Sequence, residues 1–414
     1  MDLPDDLTAR LEDVYRDLHA HPELSFQEHR TAGIAAAWLG QLGFEVQEGI
    51  GGTGVVGVMA RSAEPVVLLR ADMDGLPVAE ATGLPYASSA RGVDPEGHDV
   101  PVMHACGHDL HVTCLLGAAS RLAEDRSWTG TLIVLFQPAE ELAAGAAAMV
   151  ADGLYTKVPR PDVVLGQHVA PIPAGVIGLR SGPAFATTDS LRVTLTGAGG
   201  HGSRPEATID PVVMAASTVM RLQTVVSREV AGTDTAVVTV GALRAGTKAN
   251  IIPDTAELLL NVRTYDEKVR SHVLDSITRI VNAEADASRA PVPPRIERFE
   301  SAPAVVNDPD AVARTRASLE SVVGPGRVVD PGPVTGSEDV GVLANGAPAP
   351  CVFWLLGGAD PAAFAGASDI DGIRASMAAL PSNHSPSYAP VVSPTIGLGV
   401  ASLVAAARGW LTTG

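Results

Sequence analysis

Four short stretches of the 414-residue chain carry side chains of the kinds that hold metal ions. In Met103-His104-Ala105-Cys106-Gly107-His108-Asp109 a thiol and an imidazole stand two residues apart with a glycine between them. So spaced, Cys106 and His108 can converge on one metal centre. Gln137-Pro138-Ala139-Glu140-Glu141 supplies two adjacent carboxylates. Chain neighbours do not easily point the same way, so one can bind metal while the other faces a water and handles its proton. The third stretch is Gly166-Gln167-His168 and the fourth is Asn383-His384-Ser385-Pro386. Taken singly, a histidine, a Glu pair or a cysteine is more often structural. Together they offer soft, borderline and hard donors, a set suited to Zn, Mn, Co or Ni.

Such residues need elements that bring them together. Residues 66–69, 131–136 and 163–165 are continuous apolar runs, as in strands buried on both faces. Helical patterns occupy 7–20, 29–42, 112–123 and 143–151. Strands alternating with helices predict a mostly parallel sheet, and such sheets place their chemistry in loops at the carboxyl ends of the strands. The pattern changes near Asp189, where Leu191, Val193 and Leu195 alternate with Arg192, Thr194 and Thr196, as in a strand with one wet face. Pro211 opens a helix after Asp210 as its N-cap. Residues 236–240 and 257–262 read as strands, and Asp266 caps a helix running to about residue 285. This β-α-β-β-α order resembles a ferredoxin-like unit. A helix at 309–322, a strand at 351–356 and a closing helix at 395–411 return to the first pattern. The expected fold class is α/β: a mostly parallel sheet domain with helices on both faces, residues 1–187 and 300–414. A ferredoxin-like α+β domain, residues 188–299, is expected to interrupt it.

Composition narrows the partners. Hydrophobic residues make up 46% and charged residues 18%, which fits a globular chain. The formal net charge of −18 excludes nucleic acid and anionic membrane as expected partners, since both need clustered Lys and Arg. The acidic N-terminus lacks the basic and apolar regions of a secretory signal. Gly, Pro and charge interrupt the apolar stretches, so no membrane-spanning helix is expected. Cys106, Cys114 and Cys351 form no disulfide framework and no C-x-x-C pair, and a cytoplasmic location is expected.

The stretch Leu69-Arg70-Ala71-Asp72-Met73-Asp74-Gly75-Leu76-Pro77 and the motifs around Cys106 and Glu140 closely resemble the co-catalytic metallo-amidohydrolases. Hippurate hydrolases, bacterial N-acyl-amino-acid amidohydrolases and plant hydrolases of auxin conjugates belong to that group. The resemblance extends over nearly the whole chain, because Gly199-Gly200-His201-Gly202, Asn250-Ile251-Ile252-Pro253, Ser337-Glu338-Asp339 and His384-Ser385-Pro386 follow in the same order. It implies hydrolysis of the amide bond of small N-acyl amino acids or related peptide-like substrates, with two divalent ions per chain. It further implies Cys106, His108, Glu141, His168 and His384 as metal ligands, with Cys106 between the ions, and Glu140 as general base. Asp74, with Asp72 beside it, would orient a ligand. His201 would reach the substrate carbonyl from the inserted domain. That domain would also form a homodimer interface, and His201 would serve its own chain's site or, as is frequent in the group, the partner's. Asn250 and Arg263, in the same domain, would hold the substrate carboxylate; the guanidinium fork suits that task. Two positions depart from the group: Glu206 follows Pro205 where a histidine is usual, and Val340 stands where an aromatic is usual. They leave the metal-binding motifs intact and bear on the acyl pocket.

Two other readings compete. A thiol hydrolase would use Cys106 as nucleophile and His108 as base, leaving the Glu pair, His168 and His384 without roles. A metal- or peptide-binding module on the same fold would have no use for a general base.

Overall fold

The apolar runs fold as the strands Val66–Asp72, Thr131–Gln137, Val163–Pro173 and Cys351–Ala359. Val66–Asp72 and Thr131–Gln137 are buried along their whole length. The computed structural model describes residues 3–367 and 370–413. Its first unit comprises Met1–Ala184, Val306–Pro333 and Asp339–Gly414, and its second Phe185–Val305 and Val334–Glu338.

In the first unit the four strands are parallel neighbours at the centre of an eight-stranded sheet. A hairpin of Glu45–Ile50 and Gly54–Ala60 adds an antiparallel edge that periodicity did not indicate. Side chains alternate along each strand. Val67, Leu69, Ala71, Leu132, Val134 and Phe136 join one core with the helices Asp5–Ala20, His29–Gln41, His108–Glu124 and Val392–Trp410. On the intervening positions, Arg70 meets Asp339, which precedes the helix Val340–Gly346.

Three local expectations are corrected. The strand expected to end near residue 165 runs to Pro173, so His168 lies on it rather than in a following loop. Parallel pairing with Cys351–Ala359 continues past that point and sets His168 opposite Leu355. The helix expected from residue 112 starts at His108, after Gly107 at φ 83°. A side chain on Gly107 would also meet Val169 Cγ1 at 2.5 Å, so this turn requires glycine twice over. Finally, Val392–Trp410 is long and apolar enough to span a membrane, contrary to the expected interruption. Here Ile396, Val400, Leu403 and Val404 pack into the core.

The second unit is a four-stranded antiparallel sheet in the order Ala236–Ala245, Thr255–Thr264, Thr188–Thr196, Arg295–Ala302. Helices Pro211–Thr224 and Glu267–Ala287 bury Met214, Leu222, Val273, Ile277 and Val281 with Leu258, Leu260 and Val262 of the sheet. The Asp210 and Asp266 carboxylates cap them. The unit is larger than residues 188–299. Its last strand continues to Ala302, and residue 334 is tied in because the Ala186 amide and the Tyr265 hydroxyl both donate to the Val334 carbonyl.

Candidate metal centre

The first unit gathers the five expected ligands around one point. Cys106 Sγ lies 3.4 Å from His168 Nε2. His384 Nε2 lies 3.4 Å from Glu141 Oε2, and His108 Nε2 lies 3.8 Å from Glu141 Oε1. Ligand atoms sharing one tetrahedral ion stand about 3.3–3.8 Å apart, given metal–ligand bonds near 2.0–2.3 Å. Two triads, Cys106-His108-His168 and Cys106-Glu141-His384, bring their donor atoms within 4.8 Å of one another and share the cysteine. Glu140 Oε2 stands 3.9 Å from His108 Nε2, beside the ligand cluster.

Hydrogen bonds set the imidazoles for this arrangement. His168 Nδ1 donates to the Val169 carbonyl at 2.8 Å, which leaves the Nε2 lone pair facing Cys106. His108 Nδ1 donates to Asp74 Oδ1 at 3.2 Å. Its Nε2 and Glu141 Oε1 are buried and have no hydrogen-bond partner among the described residues. Buried polar atoms are normally paired, so two orphans aimed at one point fit a bound cation. A third histidine behaves differently. His111 Nε2 accepts the Val169 amide at 2.8 Å, so its Nδ1 carries the proton donated to Asp72 Oδ1 at 2.5 Å. Asp72 Oδ2 accepts from Arg70 at 2.8 Å. Asp72 and His111 are thus occupied, and they brace the centre rather than complete it.

Electrostatics point the same way. Burial pushes the Glu141 carboxyl up to about 8, despite nearby His108, with Asp74 and Asp72 adding to the rise. Burial also drives the Cys106 thiol well above its ordinary value, with Glu141 reinforcing it, and holds His168 well below its own. A thiol nucleophile needs a thiol held below its ordinary value. The thiol-hydrolase reading also leaves Glu141, His168 and His384 without roles, whereas a metal-ligand set uses all of them.

The shell behind the ligands is rigid. Asp74 accepts from His108 Nδ1, the Ser25 hydroxyl and the amides of Glu140 and Glu141. Asn383 donates to the carbonyls of Cys106 and Val169, and the His384 amide donates to Ala105, strapping the last ligand loop to the first. His19 is raised to about 9: burial works against its charge, but Asp109 and Glu80 on its two nitrogens prevail. Arg70 is fully buried and joins Asp72 at 2.8 Å, Asp339 at 3.2 Å and Gln137 at 3.0 Å. Burial alone would raise the Asp72 carboxyl, but Arg70, His108 and His111 hold it well below the usual range. Arg70→Met, which leaves two buried carboxylates short of their cation, is expected to cost about 3–5 kcal/mol. Urea unfolding at neutral pH measures it; a loss under about 1 kcal/mol would mean that the network re-pairs without Arg70.

The remaining candidates lie in the second unit. His201 is exposed, and its Nδ1 accepts from the amide and hydroxyl of Ser203 at 3.1 and 2.8 Å. Its proton is therefore on Nε2, which makes that nitrogen a donor. The short bridge of Gly200–His201 with Ile251–Ile252 sets His201 beside Asn250, whose carbonyl takes the Gly202 amide at 2.9 Å. Arg263 sits elsewhere on the unit. It lines a cavity of about 200 Å³ with Asn261, Tyr265, Val237 and Thr335. It donates to Asn261 Oδ1 and to the Thr335 carbonyl.

Sequence reasoning gave no role to His19, Glu28, Arg70 or His111. His111 had a signal, since three residues beyond His108 on a helix it shares that face. Glu28 had none.

Comparison with known proteins agrees with this geometry. The family model described as Peptidase family M20/M25/M40 matches residues 68–371. A hippurate hydrolase of Campylobacter jejuni is 40% identical over 74% of this chain and 77% of its own. An N-acetyl-L-cysteine deacetylase of Bacillus subtilis is 36% identical over 84% of this chain and 80% of its own. The crystal structure of the Bacillus subtilis YXEP protein, a dinuclear metal binding peptidase from the M20 family, superposes with a TM-score of 0.76. It shares 28% identity over 98% of this chain and 99% of that one.

Proposed function

The chain belongs to peptidase family M20/M25/M40 and is a hydrolase of amide bonds, and from that premise we propose that it cleaves N-acyl amino acids and related small peptide-like substrates using two divalent ions per chain. The observation that carries this reading is the convergence of His108 Nε2 and Glu141 Oε1, both buried without partners, with Cys106, His168 and His384. These five residues would hold the ions, with Cys106 common to both. When bound, Zn, Mn, Co or Ni supplies a Lewis acid for the scissile carbonyl and allows water to lose a proton near neutral pH.

The chain's own groups do the rest. Glu140, beside the ligands but less enclosed by them than Glu141, takes the proton of the attacking water. As the carbon–nitrogen bond breaks, it returns that proton to the leaving nitrogen, giving a carboxylic acid and an amino acid. Asp74 holds His108 and the amides of the Glu pair in register. His201 offers Nε2–H to the carbonyl oxygen as charge builds there. Asn250 beside His201, or Arg263 at its separate place on the unit, takes the substrate carboxylate.

We further propose a homodimer joined through the second unit. Ala236–Ala245 is an edge strand of its sheet, and such an edge presents unpaired backbone groups. Val237 and Leu243 on it, and Val213 and Met220 on the helix Pro211–Thr224, are exposed apolar side chains suited to a second copy. The need for Cys106 as a reduced thiol supports a cytoplasmic location.

The test is reconstitution. Protein loaded separately with each metal should hold about two ions per chain and cleave hippurate, N-acetyl amino acids or dipeptides. Amidating the substrate carboxylate should lower kcat/KM by about 10-fold or more, as expected when a charged hydrogen-bond partner is removed. Two ions with no turnover on any of these substrates would leave only a binding module, and equal rates on both forms would remove Asn250 and Arg263 from the site.

A further inference from the structure

Behind the centre, two buried carboxylates hold three consecutive backbone amides of the loop that carries the Glu pair. Asp74 takes those of Glu140 and Glu141 at 3.2 and 3.0 Å. Glu28 Oε1 takes that of Ala139 at 2.8 Å, from 111 residues away. Ala139 is fully buried and has φ 47°, a left-handed conformation that an alanine leaves unless something holds it. Glu28 is itself held. It stands at the N-cap of the helix His29–Gln41, with Oε1 also accepting the Phe26 amide at 3.0 Å and Oε2 bonded to the Thr53 hydroxyl. It touches none of the five ligands by any hydrogen bond or ion pair among the described residues.

We infer that Glu28 is a positioning residue for Glu140: by accepting the Ala139 amide it holds the left-handed turn from which the base projects. The inference rests on Glu140 being the base. Asp74 holds the amides of both Glu140 and Glu141 independently, so loosening Ala139 leaves the ligand anchored and releases only the turn that sets the direction in which the base projects. A base displaced by a fraction of an ångström loses rate without losing substrate. The role calls for an acceptor atom at that place rather than a charge. Burial, with Asp74 close by, pushes the Glu28 carboxyl up to about 7, so a neutral side chain of the same shape is compatible with the site.

The experiment compares Glu28→Gln with Glu28→Asp. Glutamine keeps an oxygen for the Ala139 amide and a donor for Thr53, and its kcat should stay within about threefold of wild type. Aspartate withdraws the acceptor by one methylene. Its kcat should fall about 10- to 100-fold, with KM and metal content unchanged and with faster hydrogen exchange at the amides of 139–141. Wild-type kcat in Glu28→Asp, equal losses in both variants, or a metal loss that accounts for the lost activity would overturn the inference. Should Glu28→Asp fail to fold, Thr53→Val carries the test. Without the hydroxyl that steadies Glu28, kcat should drop at least about threefold at constant KM, and wild-type kcat in that folded variant overturns the inference. If Glu140→Gln is itself neutral, the base assignment falls; if Glu140→Gln is inactive while the Glu28 variants are normal, only this inference falls.

Discussion

Glu140→Gln is expected to slow turnover by at least about 10²-fold, the lower range for loss of a general base, while leaving both ions and the substrate bound. The argument lies in how the Glu pair is divided. Glu141 reaches two ligand nitrogens, His384 Nε2 at 3.4 Å and His108 Nε2 at 3.8 Å, and keeps one oxygen buried without a partner. Glu140 stands 3.9 Å from His108 Nε2, at the edge of the same cluster. A carboxylate so placed, next to ligands that its chain neighbour approaches with both oxygens, is where a proton acceptor for water belongs. Glutamine preserves shape and hydrogen-bonding reach but cannot take a proton, so the change isolates proton transfer from architecture. Its backbone amide still donates to Asp74, and the ligand loop keeps its form. The measurement is steady-state kinetics beside metal analysis of the same preparation, with chelated wild type as the inactive reference. A near-normal rate with two ions bound would place the base elsewhere.

Much of the centre was legible because its donors are chemically unusual in combination and lie where an α/β sheet puts its loops. Cys106, His108, Glu140, Glu141, His168 and His384 could all be singled out from residue type and spacing. What could not be read was how they are held. His168 was expected just beyond a strand because the apolar run stops at Leu165. The strand continues through polar Gln167 and His168 because parallel pairing with Cys351–Ala359 supplies hydrogen bonds that hydropathy does not register. The tautomers of His108, His111 and His168 depend on Asp74, Asp72 and two backbone groups of Val169, none of them predictable without coordinates. Arg70 reads in sequence as a charge interrupting an apolar strand. Only the fold explains it, by setting Asp339 beside it from 269 residues away. In the second unit the β-α-β-β-α order was legible from period and capping, but the closing strand Arg295–Ala302 was not. Nor was the unit's extent, because residues 334–338 join it through backbone carbonyls that any sequence offers.

Mixing two inactive variants is expected to restore activity to roughly one quarter of wild type, if the proposed dimer lets each second unit serve its partner. His201 has Nδ1 committed to Ser203, so it has a single role to offer, donation from Nε2. Removing that donor should cost about 10²–10³-fold in kcat, as for other donors to a developing oxyanion. Glu140→Gln removes the proton acceptor instead. Each homodimer then lacks one component at both of its sites. In a mixed dimer with crossed service, one composite site lacks both residues and the other has both intact. Random exchange makes about half the dimers mixed, each with one good site of two, which gives about a quarter of full activity if the sites act independently. The two purified variants, carrying different tags, are mixed, allowed to exchange, isolated by sequential pull-down and assayed. Isolated heterodimers recover about half the wild-type rate per dimer if His201 crosses. If it serves its own chain, each site in the heterodimer still lacks one residue and activity stays at the level of the parents. Wild-type turnover in His201→Ala alone would remove this histidine from the reaction altogether.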